Sequence, residues 1–176
     1  AVTATGGGVS SIDASGLTGA LTIDMTPTAG TFNIAAVGLT VKGGSGDDKI
    51  TTSAAGGTLT GGAGKDTFNV SAAEAGAAFG TTPIITTITD LSAGDSIEFG
   101  TASTAGFKEV TLGTVQNIDD ALAAATTIVN ETSWFKYAGN TYIVSNDADT
   151  TFNAGDTVVK IIGLHDLSTA ALAGTV

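Results

Sequence analysis

The stretch GGSGDDKIT, residues 43–51, is followed after nine intervening residues by GGAGKDTFN, residues 61–69. Both blocks read Gly-Gly-x-Gly-x-Asp, then one variable residue, a large apolar residue (Ile50, Phe68) and a short polar one. The intervening TSAAGGTLT (52–60) puts Leu59 at the same eighth position, and stepping back by nines meets Val41, Phe32 and Ile23. Apolar residues held at one phase through consecutive units describe a short-period repeat. A unit of this size buries its single apolar residue only by stacking on its neighbours. Each unit reads as a turn followed by a short strand, with Thr and Gly filling the other positions.

The eighteen-residue interval carries chemistry. If two units make one circuit with a strand on each face, the two glycine turns stack and Asp48 faces Asp66. Glycines at 43, 44 and 46, and at 61, 62 and 64, let the backbone take positive φ and turn its carbonyls inward. Carboxylates and carbonyls together form an all-oxygen donor set suited to a hard cation such as Ca2+, which takes about six to eight oxygens. The candidate ligands are Asp48 and Asp66, with Gly43, Ser45, Gly62 and Gly64 in the same turns. Asp47 either adds charge or faces water. The aspartate position holds Gly57 in the middle unit and Leu39 in the one before the first block, so one site is expected between the blocks and none opposite. Asp90 and Asp95, in ITDLSAGDSIEF (residues 88–99), are read either as outlying ligands or as Asx turns that start strands. Asp147 and Asp149, ahead of AGDTVVKI (154–161), are read as Asx turns. The bland alternative for the blocks themselves is a plain turn signal.

Composition narrows the function classes. Seventeen acidic residues against six basic ones, all lysine, give 176 residues a net charge of -11, which repels a phosphate backbone and argues against nucleic acid as a partner. The absence of cysteine rules out disulfides, thiolate metal sites and a cysteine nucleophile. No apolar run reaches the roughly 18 residues of a membrane span. The opening AVTATGGGVS lacks the basic start and apolar core of a signal peptide, and its low complexity leads us to expect a piece of a longer chain. His165 is the single histidine, and neither a G-x-S-x-G nor an H-E-x-x-H context occurs, so no enzymatic activity is expected.

After Val70 the composition changes through SAAEAGAAFGTTP, which places the expected domain boundary at 80: residues 1–80 carry the repeats and residues 81–176 a second module. In that module IITTITDLSAGDSIEFG and FKEVTL read as three strands. Residues 117–129 read as a helix lying over a sheet, with Asn117 as N-cap and Ile118, Ala121, Leu122, Ala125, Ile128 and Val129 on one face. WFKYAGNTYIV (134–144) reads as a hairpin turning at Gly139 and Asn140, its aromatics in the core. The expected fold class is mainly β, a parallel β-roll or β-helix solenoid followed by a C-terminal β-rich module with one helix.

These segments, together with FNAGDTVVKIIGLHDLS (152–168), resemble the C-terminal region of Gram-negative proteins exported by type I secretion. That group is the RTX family and its S-layer relatives, whose calcium-binding nonapeptide is G-G-x-G-x-D-x-U-x. The resemblance covers residues 40–176 and is specific in the repeats. It implies a calcium-stapled β-roll, a capping and assembly module, and an export signal in the ending LSTAALAGTV. The family includes proteases, lipases, adhesins, toxins and surface-layer subunits, and fold does not choose among them. An Arg-free composition rich in Thr, Ala and Gly resembles surface-layer or filament subunits, while the small number of repeats departs from the large toxins. The expected function is therefore a calcium-dependent, self-assembling structural protein, secreted to the cell surface as an S-layer or filament subunit. Its expected partners are further copies of itself and cell-surface polysaccharide or lipopolysaccharide. The alternative is the secretion and folding module of a longer exported enzyme or adhesin.

Overall fold

Short threonine-rich segments with one central apolar residue favour half-buried strands, because β-branched side chains pack well on a pleated surface. A computed structural model of the protein describes residues 10–24, 38–52, 55–70, 83–99 and 107–168, which contain twelve strands and one helix. Phe32, residues 71–82 of the expected boundary and residues 169–176 of the expected export signal lie outside them. The first eight strands are β1 (Ser11–Asp13), β2 (Thr22–Asp24), β3 (Leu39–Lys42), β4 (Lys49–Thr51), β5 (Gly57–Thr60), β6 (Thr67–Asn69), β7 (Thr86–Ile88) and β8 (Ser96–Glu98). The chain deals them alternately into two sheets, β1-β3-β5-β7 and β2-β4-β6-β8, and every pair within these runs is parallel.

The pairing follows the nine-residue phase. Val41 pairs with Leu59 and Ile50 with Phe68, eighteen residues apart. Ile23 pairs with Ile50 at twenty-seven. Leu59 then pairs with Ile88 and Phe68 with Ile97 at twenty-nine, so both ladders run on past the boundary expected at residue 80. Ile88 and Ile97 are themselves nine apart and keep the inward phase. The inward residues of both sheets meet in one apolar cluster with Trp134, Ile143, Val159 and Ile161.

Those last four come from the strands that extend the first sheet: β9 (Phe107–Glu109), β10 (Thr132–Tyr137), β11 (Asn140–Ser145) and β12 (Thr157–Ile161). The full order is β1-β3-β5-β7-β12-β11-β10-β9, with β12 parallel to β7, antiparallel pairs through β11 and β10, and β9 parallel to β10. Alternation along β10 and β11 sends Trp134 and Ile143 to the first cluster and Phe135, Tyr142 and Val144 to a second. Phe135 and Tyr142 stack with ring centroids 5.4 Å apart.

The second cluster is covered by α1 (Ile118–Ala125), which buries Ala121, Leu122 and Ala125. Asn117 caps it as expected, its Oδ1 accepting the Asp120 N–H at 2.9 Å. The helix stops at Ala125, four residues short of the expected end. The Thr126 hydroxyl bonds back to the Leu122 and Ala123 carbonyls, Ser133 Oγ donates to the Ala125 carbonyl, and β-branched residues occupy 126–129. Ile128 and Val129, expected on the buried face, are 44% and 40% exposed. The hairpin turn also sits one residue earlier than expected. Ala138 (φ 47) and Gly139 (φ 80) form it, because Asn140 pairs with Tyr137; positive φ at both central residues matches the twist of the flanking strands.

Phe68 is fully buried between the sheets, so Phe68→Ala is expected to cost about 3–5 kcal/mol by urea denaturation. Ile162→Ala, at a side chain 43% exposed, is expected to stay within about 0.5 kcal/mol of wild type.

Candidate functional site

Each odd strand of the first eight reaches the next even strand through a turn, and the four turns lie one over another. Ser45 N–H donates to the Leu17 carbonyl at 2.9 Å, and Ala63 N–H to the Gly44 carbonyl at 3.0 Å. In the nine-residue frame Leu21, Asp48, Asp66 and Asp95 hold the same place, two residues before Ile23, Ile50, Phe68 and Ile97.

This shared place produces a ladder of side chain on backbone. Leu21 N–H donates to Asp48 Oδ1 at 2.8 Å, Asp48 N–H to Asp66 Oδ1 at 2.9 Å, and Asp66 N–H to Asp95 Oδ1 at 2.9 Å. The matching carbonyls of Leu21, Asp48 and Asp66 accept from Lys49, Thr67 and Ser96 at 2.7–2.8 Å. Each carboxylate thus satisfies a backbone donor of the preceding turn, where a buried N–H without a partner would cost on the order of 1–3 kcal/mol.

The second oxygens separate the turns. Asp48 Oδ2 accepts the Gly44 N–H at 2.7 Å, and Asp95 Oδ2 accepts the Ser92 N–H at 2.7 Å. The counterpart of Gly44 in the next turn is Gly62, but its N–H donates to Asp90 Oδ2, as Gly61 N–H does to Asp90 Oδ1, both at 2.9 Å. Asp66 Oδ2 is left buried with no hydrogen-bond partner, on a residue only 1% exposed. Glycine is required for this closeness: Gly62 holds φ 107, and a Cβ there would collide with the Gly44 carbonyl oxygen.

Electrostatics concentrate on the same atom. Burial pushes the Asp66 carboxyl above its ordinary value, the Asp48 N–H bond pulls the other way, and the charges of Asp95, Asp48 and Asp90 push it further up. The ion pairs among the described residues are Lys42–Asp13, Lys49–Glu98 and Lys136–Glu109, and none reaches Asp48, Asp66, Asp90 or Asp95.

No protein-family model matches this chain, and no curated protein matches it. The expected ligands are therefore weighed on their geometry alone. The fold brings Asp48, Asp66, Asp90 and Asp95 into one bonded stack, in which Asp66 accepts the N–H of Asp48 and Asp48 reaches back to the turn before. Its two oxygens are engaged by Leu21 and Gly44, and among the described residues no three acidic or histidine side chains converge on one point. Asp47 is exposed and braces the next turn by accepting the Lys65 N–H at 2.8 Å. Ser45 is exposed, with its hydroxyl 3.4 Å from the Leu17 carbonyl, and Gly43 N–H donates to the Thr60 carbonyl. Gly64 (φ 113) packs on Gly46. Asp66 Oδ2, a buried oxygen with no donor and with the charges of Asp48, Asp90 and Asp95 nearby, is the atom of the stack at which a hard cation would be held. The sequence reading missed the turn at 14–20, although counting twenty-seven residues back from Asp48 lands on Leu21.

The remaining candidates resolve simply. Asp156 accepts the Asp147 and Asn153 N–H groups at 3.0 and 2.8 Å, and Asp149 accepts from Thr151 at 2.7 Å, so this loop is built of Asx turns. His165 lies in the segment after β12 with its ring Nε2 3.1 Å from the Ile162 carbonyl, while Asp166 accepts the Ser168 N–H.

Because Asp48 holds two backbone donors, Asp48→Ala is expected to destabilise the protein by about 2–4 kcal/mol even in excess chelator, read by denaturant titration. Asp66→Asn should behave differently, since an amide oxygen still accepts the Asp48 N–H while the charge is removed. A carboxyl raised in the folded state contributes stability that is fully present below its unfolded pKa, near 3.8, and is lost as pH rises through the folded value. In chelator, the wild-type Tm should therefore fall over that window relative to Asp66→Asn; parallel Tm–pH curves for the two proteins would remove the assignment.

Proposed function

We propose that the chain is a calcium-dependent, self-assembling structural protein of the cell exterior, a surface-layer or filament subunit exported by type I secretion. In this reading the two alternating parallel sheets are a β-roll, extended by residues 83–99 and capped by the strands and helix of residues 107–168. The observation that carries it is Asp66 Oδ2, an anionic oxygen buried without a donor inside a stack of glycine and aspartate turns. Calcium would be held by Asp66 with oxygens of the adjoining turns. It supplies there the positive charge that neither lysine nor a further N–H provides.

Assembly follows from charge and edges. Copies carrying -11 each repel one another, and neutralising buried carboxylates lowers that repulsion while tying successive turns together. Strands β1, β2, β8 and β9 end their sheets in the described residues and are the places where a second copy would add a ladder. Cell-surface polysaccharide is the matrix on which such a layer would sit.

Electron microscopy of the purified protein in about 1 mM calcium, a level suited to extracellular calcium modules, should show ordered sheets or filaments that disperse in excess chelator. Order that persists unchanged in chelator would sink the calcium-dependent reading, and monodisperse particles under both conditions would sink self-assembly.

A further inference from the structure

The eight-stranded sheet ends on β1 at one side and β9 at the other. Across it β3, β5, β7 and β12 run parallel to β1, β11 runs against them, and β10 and β9 run with β1 again. The two end strands therefore point the same way. Both are short and mostly exposed, and their half-buried apolar residues, Ile12 and Phe107, pack against the same cluster between the sheets.

The backbone groups of the two edges are complementary. The Ser10 carbonyl and the Ala14 N–H bond to β3, so the alternation along β1 turns those of Ser11 and Asp13 to the open side. At the other end Val110 N–H donates to the Trp134 carbonyl, which leaves the groups of Phe107 and Glu109 facing outward. Set in parallel with Phe107 opposite Ile12, the Phe107 N–H meets the Ser11 carbonyl and the Asp13 N–H meets the Phe107 carbonyl. A slip of one residue breaks this ladder, and a slip of two sets the charged Glu109 against Ile12.

Side chains favour the same register. With Phe107 opposite Ile12, Lys108 stands opposite Asp13 on the outer face. Lys108 forms no ion pair among the described residues, and Asp13, 3.8 Å from Lys42 on its inner side, has its outer side open.

We infer that copies of this chain join head to tail, β9 of one in parallel with β1 of the next, with Phe107 opposite Ile12 and Lys108 opposite Asp13. The larger sheet then runs unbroken along a filament. This rests on the self-assembly proposed above and narrows it to one joint, whatever oxygens hold calcium. The open strands of the smaller sheet cannot make the equivalent joint. The two sheets keep step, β1 with β2 and β7 with β8, so seating β2 of a second copy beside β8 would bring its β1 to the place that β12 occupies next to β7. A joint between unlike edges leaves both ends free for further copies, and strand twist makes the result helical. A ladder of three residues is weak, so growth is expected only above a critical concentration.

The test uses the full chain in about 1 mM calcium, with assembly read by pelleting and electron microscopy. Asp13→Lys and Lys108→Asp, each alone, set like charges across the joint and should raise the critical concentration at least about tenfold. Their equimolar mixture restores opposite charges at every joint and should return it to near the wild-type value. The cysteine-free chain allows a second measurement, which stands in if a charge variant fails to fold. Opposed residues on adjacent strands lie within disulfide reach. Asp13→Cys with Lys108→Cys in one chain should therefore give a ladder of oxidised multimers, while either cysteine alone leaves monomers. Wild-type-like assembly by each single charge variant, no rescue in the mixture, or dimers from one cysteine alone would overturn the joint and leave self-assembly standing. A wild type that stays monodisperse would overturn both.

Discussion

The structure depends on a carboxylate of one turn accepting the backbone N–H of the turn before it. Parallel strands of three or four residues cannot hold two sheets in register by their own ladders alone, since each contributes only one fully buried apolar side chain in most cases. The turns between them must also stack, and stacked turns carry N–H groups that water cannot reach. Asp48, Asp66 and Asp95 supply the acceptors at the positions where the frame requires them, and the adjoining carbonyls complete the ladder with Lys49, Thr67 and Ser96. Glycines at 61 and 62 are the corollary: a Cβ at either would strike the Asp66 carboxylate or the Gly44 carbonyl, and the turns would be forced apart.

From this constraint the rest of the first sheet follows. Once the turns fix the spacing, Val41, Leu59 and Ile88 align in one sheet and Ile50, Phe68 and Ile97 in the other, and the gap between them fills with apolar side chains. The last exposed edge of the larger sheet is then available to β12, which pairs with β7 and brings β11, β10 and β9 with it. Trp134 and Phe135, adjacent in sequence, bind this extension to both sides, one to the cluster between the sheets and one to the cluster under α1.

Much of this was legible in the residues, and the failures have physical causes. The nine-residue phase of Ile23, Val41, Ile50, Leu59 and Phe68 gave the strands and their pairing, because a period survives in sequence whenever each unit buries the same position. It was lost after Val70, where the interval between paired strands grows from eighteen residues to twenty-nine; Ile88 and Ile97 still hold the phase, but no repeat block marks them. The helix and the hairpin were placed correctly in kind and wrongly at one end. Thr126 ends the helix through its own hydroxyl, and the Tyr137–Asn140 pair moves the turn onto Ala138, and both are tertiary choices that a pattern of apolar spacing does not contain. For the site, residue types were legible and their orientation was not. Gly-Gly-x-Gly-x-Asp signals an oxygen-rich turn, but whether a carboxylate faces its neighbour or satisfies a backbone donor depends on which N–H groups the stack leaves free.

The direction of the ladder explains why one oxygen alone stands apart. Asp48, Asp66 and Asp95 each reach back to the preceding turn, so the Leu21 turn needs no aspartate of its own and the Asp95 turn closes on itself through Ser92. Within the run, Asp48 completes its shell with Gly44, and Asp66 would do the same with Gly62 if Asp90 did not take that donor. The unpaired oxygen is therefore created by a residue outside both repeat blocks. A repeat of two identical turns would have satisfied itself; the last of the four turns, with Asp90 where the repeats have glycine, takes the donor and leaves Asp66 Oδ2 without one.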